Sequence, residues 1–172
     1  SDIVYFGISD GGIQGATYMA LTPDIERGAL NVPGCEWSLM LQRSVDFAAI
    51  KPIIEAGIPD PLDAQILIAL MQSEWDYTDP ATFAPHLLHD PLAGVPTKRI
   101  LVQESIGDAQ VPNIATRVLA RTMGLPGLDL LTPVFGIEAK NVSLGSAYTQ
   151  WNSNHTPVPP DTNTALSSDY GA

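Results

Sequence analysis

Cysteine occurs once among 172 residues, at Cys35, which excludes an internal disulfide framework and a cysteine-rich metal site. Basic residues are also scarce. Eight Lys and Arg stand against 19 Asp and Glu, a formal net charge of −11. Binding a phosphate backbone needs clustered cations, so a nucleic-acid partner is not expected. No apolar run approaches the roughly 18 residues that would mark a membrane-spanning helix. The opening "SDIVYFG" has neither the basic segment nor the apolar segment of a signal peptide. If the protein is exported, its signal is expected upstream of Ser1, and the compartment stays open. Cys35 itself reads as a small buried apolar residue.

What the chain does have is apolar content, 45% of residues, and many turn formers, 15 Pro and 14 Gly. That suits one core, and so one domain or a large part of one. Ile3 to Phe6 is a short continuous apolar run, the pattern of a strand buried on both faces. "GIQGATYMAL", Gly12 to Leu21, has small residues where a helix would press on a sheet, and Thr22-Pro23-Asp24 ends it. A second short strand is expected around Ala29 to Val32. Glu36 to Val95 reads as a mostly helical insertion with proline-rich breaks. "KRILVQES" is the strongest strand, "VPNIATRVLARTMGL" reads as a helix, and "AYTQW" as a last strand. The segment 152–172 is Pro-, Asn- and Ser-rich and reads as an irregular tail. Strands alternating with helices predict an α/β class with a mainly parallel sheet and flanking helices.

Gly7-Ile8-Ser9-Asp10-Gly11 matches G-x-S-x-G. A serine on a sharp strand-to-helix turn is held in a strained backbone, with its hydroxyl raised above the sheet. The flanking glycines are expected to let strand and helix approach. The backbone N–H of Asp10 would then point at a developing oxyanion, helped by the helix dipole. The bare pattern is common; its context, a strand before and a Gly/Ala-rich helix after, is what makes Ser9 a candidate nucleophile. The plain alternative is a glycine-rich turn with an incidental serine.

A serine nucleophile needs a base, and the base an orienting acid. Asp108 follows the strongest strand in "GDAQVP", at the strand end where ligand sites gather in open α/β sheets. It would equally serve as the N-cap of a helix beginning near Val111. His86 and His89 precede Asp108 inside the insertion, lack a third ligand for a metal, and read as structural. His155, in "WNSNHTP", has the chain order Ser, Asp, His that such sites use.

Together these residues resemble the C-terminal half of an α/β-hydrolase fold serine esterase, and are most similar to large bacterial hydrolases whose elbow reads G-x-S-x-G-G. The resemblance covers the elbow "GISDGG", the strand "GALNVPG", a helical cap-like insertion at 36–95, the acid turn "ESIGDAQVPN" and a final strand. It implies Ser9 as nucleophile, Asp108 as acid and hydrolysis of an ester or amide through an acyl-enzyme. No cofactor and no metal are expected. Such domains carry several strands before the elbow and often a histidine late in the chain. The chain is therefore expected to be a fragment, a processed half or one part of a split domain. A second polypeptide, or a second copy, is expected along the first strand, and the base is either His155 or a histidine beyond Ala172. The substrate would be a small-molecule or lipid-like ester, with Trp37, Met40, Leu41 and Trp75 of the insertion as candidate walls, although core packing would also explain each. Two alternatives stay open, a non-catalytic hydrolase-derived fragment with an assembly role and a serine peptidase on the same fold.

Overall fold

A computed structural model describes residues 3–141 and 145–152. Five strands, β1 (Val4–Ile8), β2 (Arg27–Asn31), β3 (Arg99–Ile106), β4 (Gly127–Leu128) and β5 (Ala147–Asn152), form one sheet in the order β1-β2-β3-β5-β4. Every pairing is parallel. The helix α1 (Asp10–Leu21) joins β1 to β2, and α7 (Asn113–Thr122) follows β3. Between β2 and β3 lie α2 (Trp37–Arg43), a 3-10 turn (Val45–Phe47), α3 (Lys51–Gly57), α4 (Pro61–Trp75), α5 (Pro80–Phe83) and α6 (Pro85–Leu88). The expected α/β class is present, and the segment between β2 and β3 is mostly helical. The four longer strands and the two sheet-packing helices fall within a few residues of the expected positions. The two-residue β4 had no counterpart in the sequence reading.

The core lies on one face of the sheet. Ala16, Met19 and Ala20 of α1 pack with Leu30, Ile100, Val102 and Tyr148 of the strands and with Leu119 and Ala120 of α7, all essentially inaccessible. Alternation along β3 explains the division: Ile100, Val102, Glu104 and Ile106 are buried while their neighbours are exposed or half-buried. Glu104, fully buried on this face, accepts Arg117 Nη2–H of α7 at 3.0 Å and Gln150 Nε2–H of β5 at 3.4 Å. The pair fastens α7 to the strands, and burial pushes the Glu104 carboxyl up despite the Arg117 guanidinium beside it.

The expectation that the first strand is buried on both faces is overturned. Among the described residues β1 has a neighbour on one side only, and Val4, Phe6 and Ile8 are 53%, 60% and 55% exposed. Tyr5 and Gly7 point the other way, onto α1. A continuous apolar run looks the same in sequence whether one or both of its faces find a cover, so only the structure separates the two cases.

Candidate active site

Ser9 stands alone between the last residue of β1 and the first of α1, with φ 54° and ψ −121°. A non-glycine residue in this region stores roughly 1–3 kcal/mol of backbone strain and persists where its surroundings dictate it. Three backbone hydrogen bonds do so here. Ser9 N–H donates to Asn31 O at 3.0 Å, and Ser9 O accepts from Gly12 N–H at 2.8 Å and Ile13 N–H at 2.9 Å. The side chain makes no capping bond. The amides of Asp10 and Gly11, at the positive end of a 12-residue helix, meet no acceptor among the described residues.

The glycines around Ser9 divide their work differently from the symmetric role expected of the motif. A Cβ on Gly7 would lie 2.2 Å from Gly11 O, whereas a Cβ on Gly11 would meet nothing within 4 Å. Close approach of helix to strand is instead secured further along α1. Added carbons on Gly12 and Gly15 would lie 2.7 Å from Asn31 O and 2.4 Å from the Tyr5 ring. The Tyr5 hydroxyl donates to Gly11 O at 2.7 Å and closes the turn.

Asp108 lies just past β3, at the same end of the sheet. One strand, β2, separates β1 from β3, a lateral offset of about 10 Å at ordinary strand spacing. Gly107, at φ 90°, turns the chain out of the strand. Gly107 N–H donates to Asn113 Oδ1 at 2.8 Å, and Asn113 Nδ2–H donates to Ser105 O at 2.6 Å. The Asp108 carboxylate accepts Gln110 N–H at 2.9 Å and Val111 N–H at 3.0 Å, both on Oδ1. Asp108 caps this turn, while α7 starts later, at Asn113 behind Pro112. Its second oxygen, Oδ2, receives no donor from the described residues. Burial raises the Asp108 carboxyl above its ordinary range. The two backbone N–H groups oppose that shift, and nearby Asp46 adds to it.

A small second core ties the two candidate residues together. Ile13, one turn into α1, and Val111, which holds Asp108, are buried with Met40 and Ala115. Met40, 2% exposed, therefore belongs to the packing beneath the site. Trp37, Leu41 and Trp75 line a cavity of about 300 Å³ together with Gln14 of α1, Phe47 and Thr78. The insertion is seated here by Val45 N–H on Ala109 O at 2.9 Å and by Thr17 Oγ1–H on Thr78 O at 3.2 Å.

One organiser of this region went unnoticed in the sequence. Asp79, fully buried, caps α5 through Ala81 N–H at 2.9 Å. It also accepts Glu36 N–H at 3.0 Å, Trp37 N–H at 2.9 Å and Gln72 Nε2–H at 2.9 Å. The Asp79-Pro80 pair signals a helix start. Its reach to the beginning of α2, more than 40 residues earlier, has no local signature.

The described histidines lie elsewhere. His86 Nδ1 contacts Asp90 O at 2.6 Å, and His89 Nε2 sits over Gly124. Leu87, between them, offers its carbonyl to Lys98 N–H, immediately before β3 begins. That is the opposite end of the sheet from Ser9 and Asp108. His155 lies outside the described residues. Cys35 is fully buried and its thiol is pushed well up by that burial. Among the described residues no group of three or more His, Cys, Asp or Glu could hold a metal ion. No helix among them is long and apolar enough to cross a membrane. No family model, no curated protein and no solved structure matches this chain significantly.

Proposed function

We propose that this chain carries the nucleophile and the acid of an α/β-hydrolase-type serine esterase, as the C-terminal portion of such a domain with the insertion as its cap. The observation that carries the reading is the backbone of Ser9, a non-glycine residue at φ 54° and ψ −121° between a parallel strand and a helix N-terminus. Strain of this kind is kept where it aims a side chain. Ser9 Oγ would attack the ester carbonyl and pass its proton to a histidine. The Asp10 N–H would receive the negative charge that forms on the carbonyl oxygen. The tetrahedral intermediate collapses as the histidine gives that proton to the departing alcohol. Water then repeats the sequence to release the carboxylic acid.

Asp108 suits the orienting role because Oδ1 is anchored by two backbone amides and Oδ2 is left for an imidazole N–H. His155 is the base in this reading. Asn152, the last described residue, pairs with Ile106 beside the acid turn. A second polypeptide or second copy along β1 completes the proposal, supported by the exposed apolar side chains of that strand.

Fluorophosphonate labelling of the full chain together with any chain that copurifies with it tests the assignment. The expected result is one labelled site, lost in Ser9→Ala and in His155→Ala. Absence of labelling in that assembly overturns it. It would favour a non-catalytic assembly role, to which the remote positions of His86 and His89 already lend some weight. Ester and amide substrates compared side by side separate esterase from peptidase.

A further inference from the structure

Two surfaces of this chain, one on the sheet and one on α4, are apolar and uncovered. The core helices α1 and α7 share one cluster with Leu30, Ile100 and Val102, so the strand residues that alternate with these lie on the opposite face. There Phe6, Ala29 and Leu101 stand in register across β1, β2 and β3 as an apolar row. Arg27 and Arg99, two residues nearer the start of their strands, are also in register. Both line one open groove with Val4, Ala29 and Leu101. A parallel sheet is ordinarily covered on both faces. Like charges side by side on neighbouring strands are unfavourable, and a carboxylate placed over both would offset that.

The helix α4 is apolar on both sides. Ala64 and Ile68 are buried in the insertion. Leu62, Ile66 and Leu70, four residues apart on one line, are 64%, 49% and 65% exposed. Glu74, also exposed, is next on that line. A helix that is apolar all round is ordinarily a buried one. The inner side of α4 is fixed in its own chain by Ala64, Ile68 and the 2.9 Å hydrogen bond that Gln72 donates to Asp79. Its outer stripe is therefore presented to another molecule.

We propose that the α4 stripe of one copy docks on the open sheet face of a second copy, with Leu62, Ile66 and Leu70 on the row of Phe6, Ala29 and Leu101 and with Glu74 over Arg27 and Arg99. Both halves of the contact are on this chain, which selects a second copy over a different polypeptide. The lengths agree. Leu62 to Glu74 rises about 18 Å along a helix, and Arg99 to Ser105 about 20 Å along a strand. With Glu74 at the arginine end, the docked helix runs antiparallel to the strands, the sense that α1 has on the other face. Charge sets the register: copies of formal net charge −11 repel at long range, and this face concentrates two of the eight basic residues where a carboxylate arrives. Because the two surfaces differ, the contact repeats from copy to copy unless it closes into a ring. The proposal goes beyond the esterase reading and stands on these two surfaces alone.

Sedimentation velocity of the full chain and of two variants tests the contact by complementation. Ile66→Lys spoils the stripe and Phe6→Lys spoils the face, at positions 49% and 60% exposed. The wild type is expected to associate, and each variant alone to stay monomeric. Mixed in equal amounts, the two should form a dimer and nothing larger, because one supplies an intact face and the other an intact stripe. A mixture that stays monomeric overturns the proposal. So does Ile66→Lys that associates like the wild type, which would mean that the open face or the β1 edge finds another cover. A monomeric wild type overturns it as well. Should either lysine variant lose its circular dichroism, the charge pair gives a second route. Arg99→Glu and Glu74→Arg should each weaken association about tenfold, and the two together in one chain should restore it. No restoration overturns the proposal. Ser9 labelling of a monomeric chain would sink this docking and keep the esterase reading, and complementation without labelling would do the reverse.

Discussion

Gly7 lies directly against Gly11: a side-chain carbon on Gly7 would be 2.2 Å from the Gly11 carbonyl oxygen, a separation that real Cβ atoms do not show. The obstacle is backbone on both sides, so no rotamer change relieves it. Gly7→Ala must therefore move α1 off β1 or leave the turn unformed. A loss of several kcal/mol is expected, of the order seen for overpacking or worse. Gly11→Ala is the contrasting case, with nothing within 4 Å of its added methyl. It should be neutral or stabilising by up to about 1 kcal/mol through helix propensity. Thermal or urea unfolding of the two variants decides. Equal destabilisation would show that the turn is not built as described.

Ser9→Gly tests the strain itself. Glycine tolerates φ 54° without the clash a Cβ brings, and the Ser9 side chain makes no capping bond that would be lost. The variant is expected to unfold at a higher temperature than the wild type, by the equivalent of about 1 kcal/mol, while losing fluorophosphonate labelling completely. Ser9→Ala, which keeps the Cβ and its strain, should lose labelling with little change in stability. A Ser9→Gly variant less stable than the wild type would mean that the positive φ is not a source of strain.

Much of this arrangement is legible in sequence, and the failures have physical causes. Ile100 to Val102 read as strand because a parallel strand covered by a helix keeps an apolar run, and Asp108 stood out because it follows that strand through Gly107. Ser9 stood out from its glycines, although only Gly7 of the motif pair is sterically necessary. Met40, Leu41 and Trp37 share one helical pattern, and periodicity alone cannot say that Met40 enters the core while its neighbours line a cavity. The role of Asp79 depends on amides more than 40 residues away. The exposure of Phe6 depends on what lies beside β1, which no feature of "IVYF" encodes.

Asp108 should give up stability for function. Its folded-state carboxyl is raised by burial, so the native state holds the proton more tightly than the unfolded chain does. The sign follows directly. This contribution is fully present below the ordinary carboxylate range, is lost as pH rises through the raised folded-state value, and is flat above it. Asp108→Asn keeps an oxygen for the Gln110 and Val111 amides and removes the buried charge. The variant is expected to be at least as stable as the wild type at neutral pH and to lose this part of the pH dependence. Its fluorophosphonate labelling should be slower by orders of magnitude, because a neutral amide cannot stabilise an imidazolium. Unfolding curves from pH 4 to 8, with labelling rates on the same samples, check all three. Unchanged labelling would remove Asp108 from the site.

The open side of β1 makes the last prediction. Val4, Phe6 and Ile8 line one face of a strand whose outer edge has no neighbour among the described residues. An exposed, apolar, unpaired edge is a template for further pairing, and a parallel sheet is ordinarily covered on both faces. The isolated chain is therefore expected to self-associate or to hold on to a copurifying chain. Phe6→Lys combined with Ile8→Lys places charges where water already reaches, a change that typically alters stability by no more than about 0.5 kcal/mol per site. The double variant should become monomeric in sedimentation velocity while keeping the wild-type circular dichroism. The control is Tyr77→Lys, which removes an even more exposed aromatic, at 82%, from the segment between α4 and α5. It should leave association unchanged. A wild-type chain that is monomeric and alone at the highest concentration it tolerates would show that β1 needs no partner, and the proposed second polypeptide would fall with it.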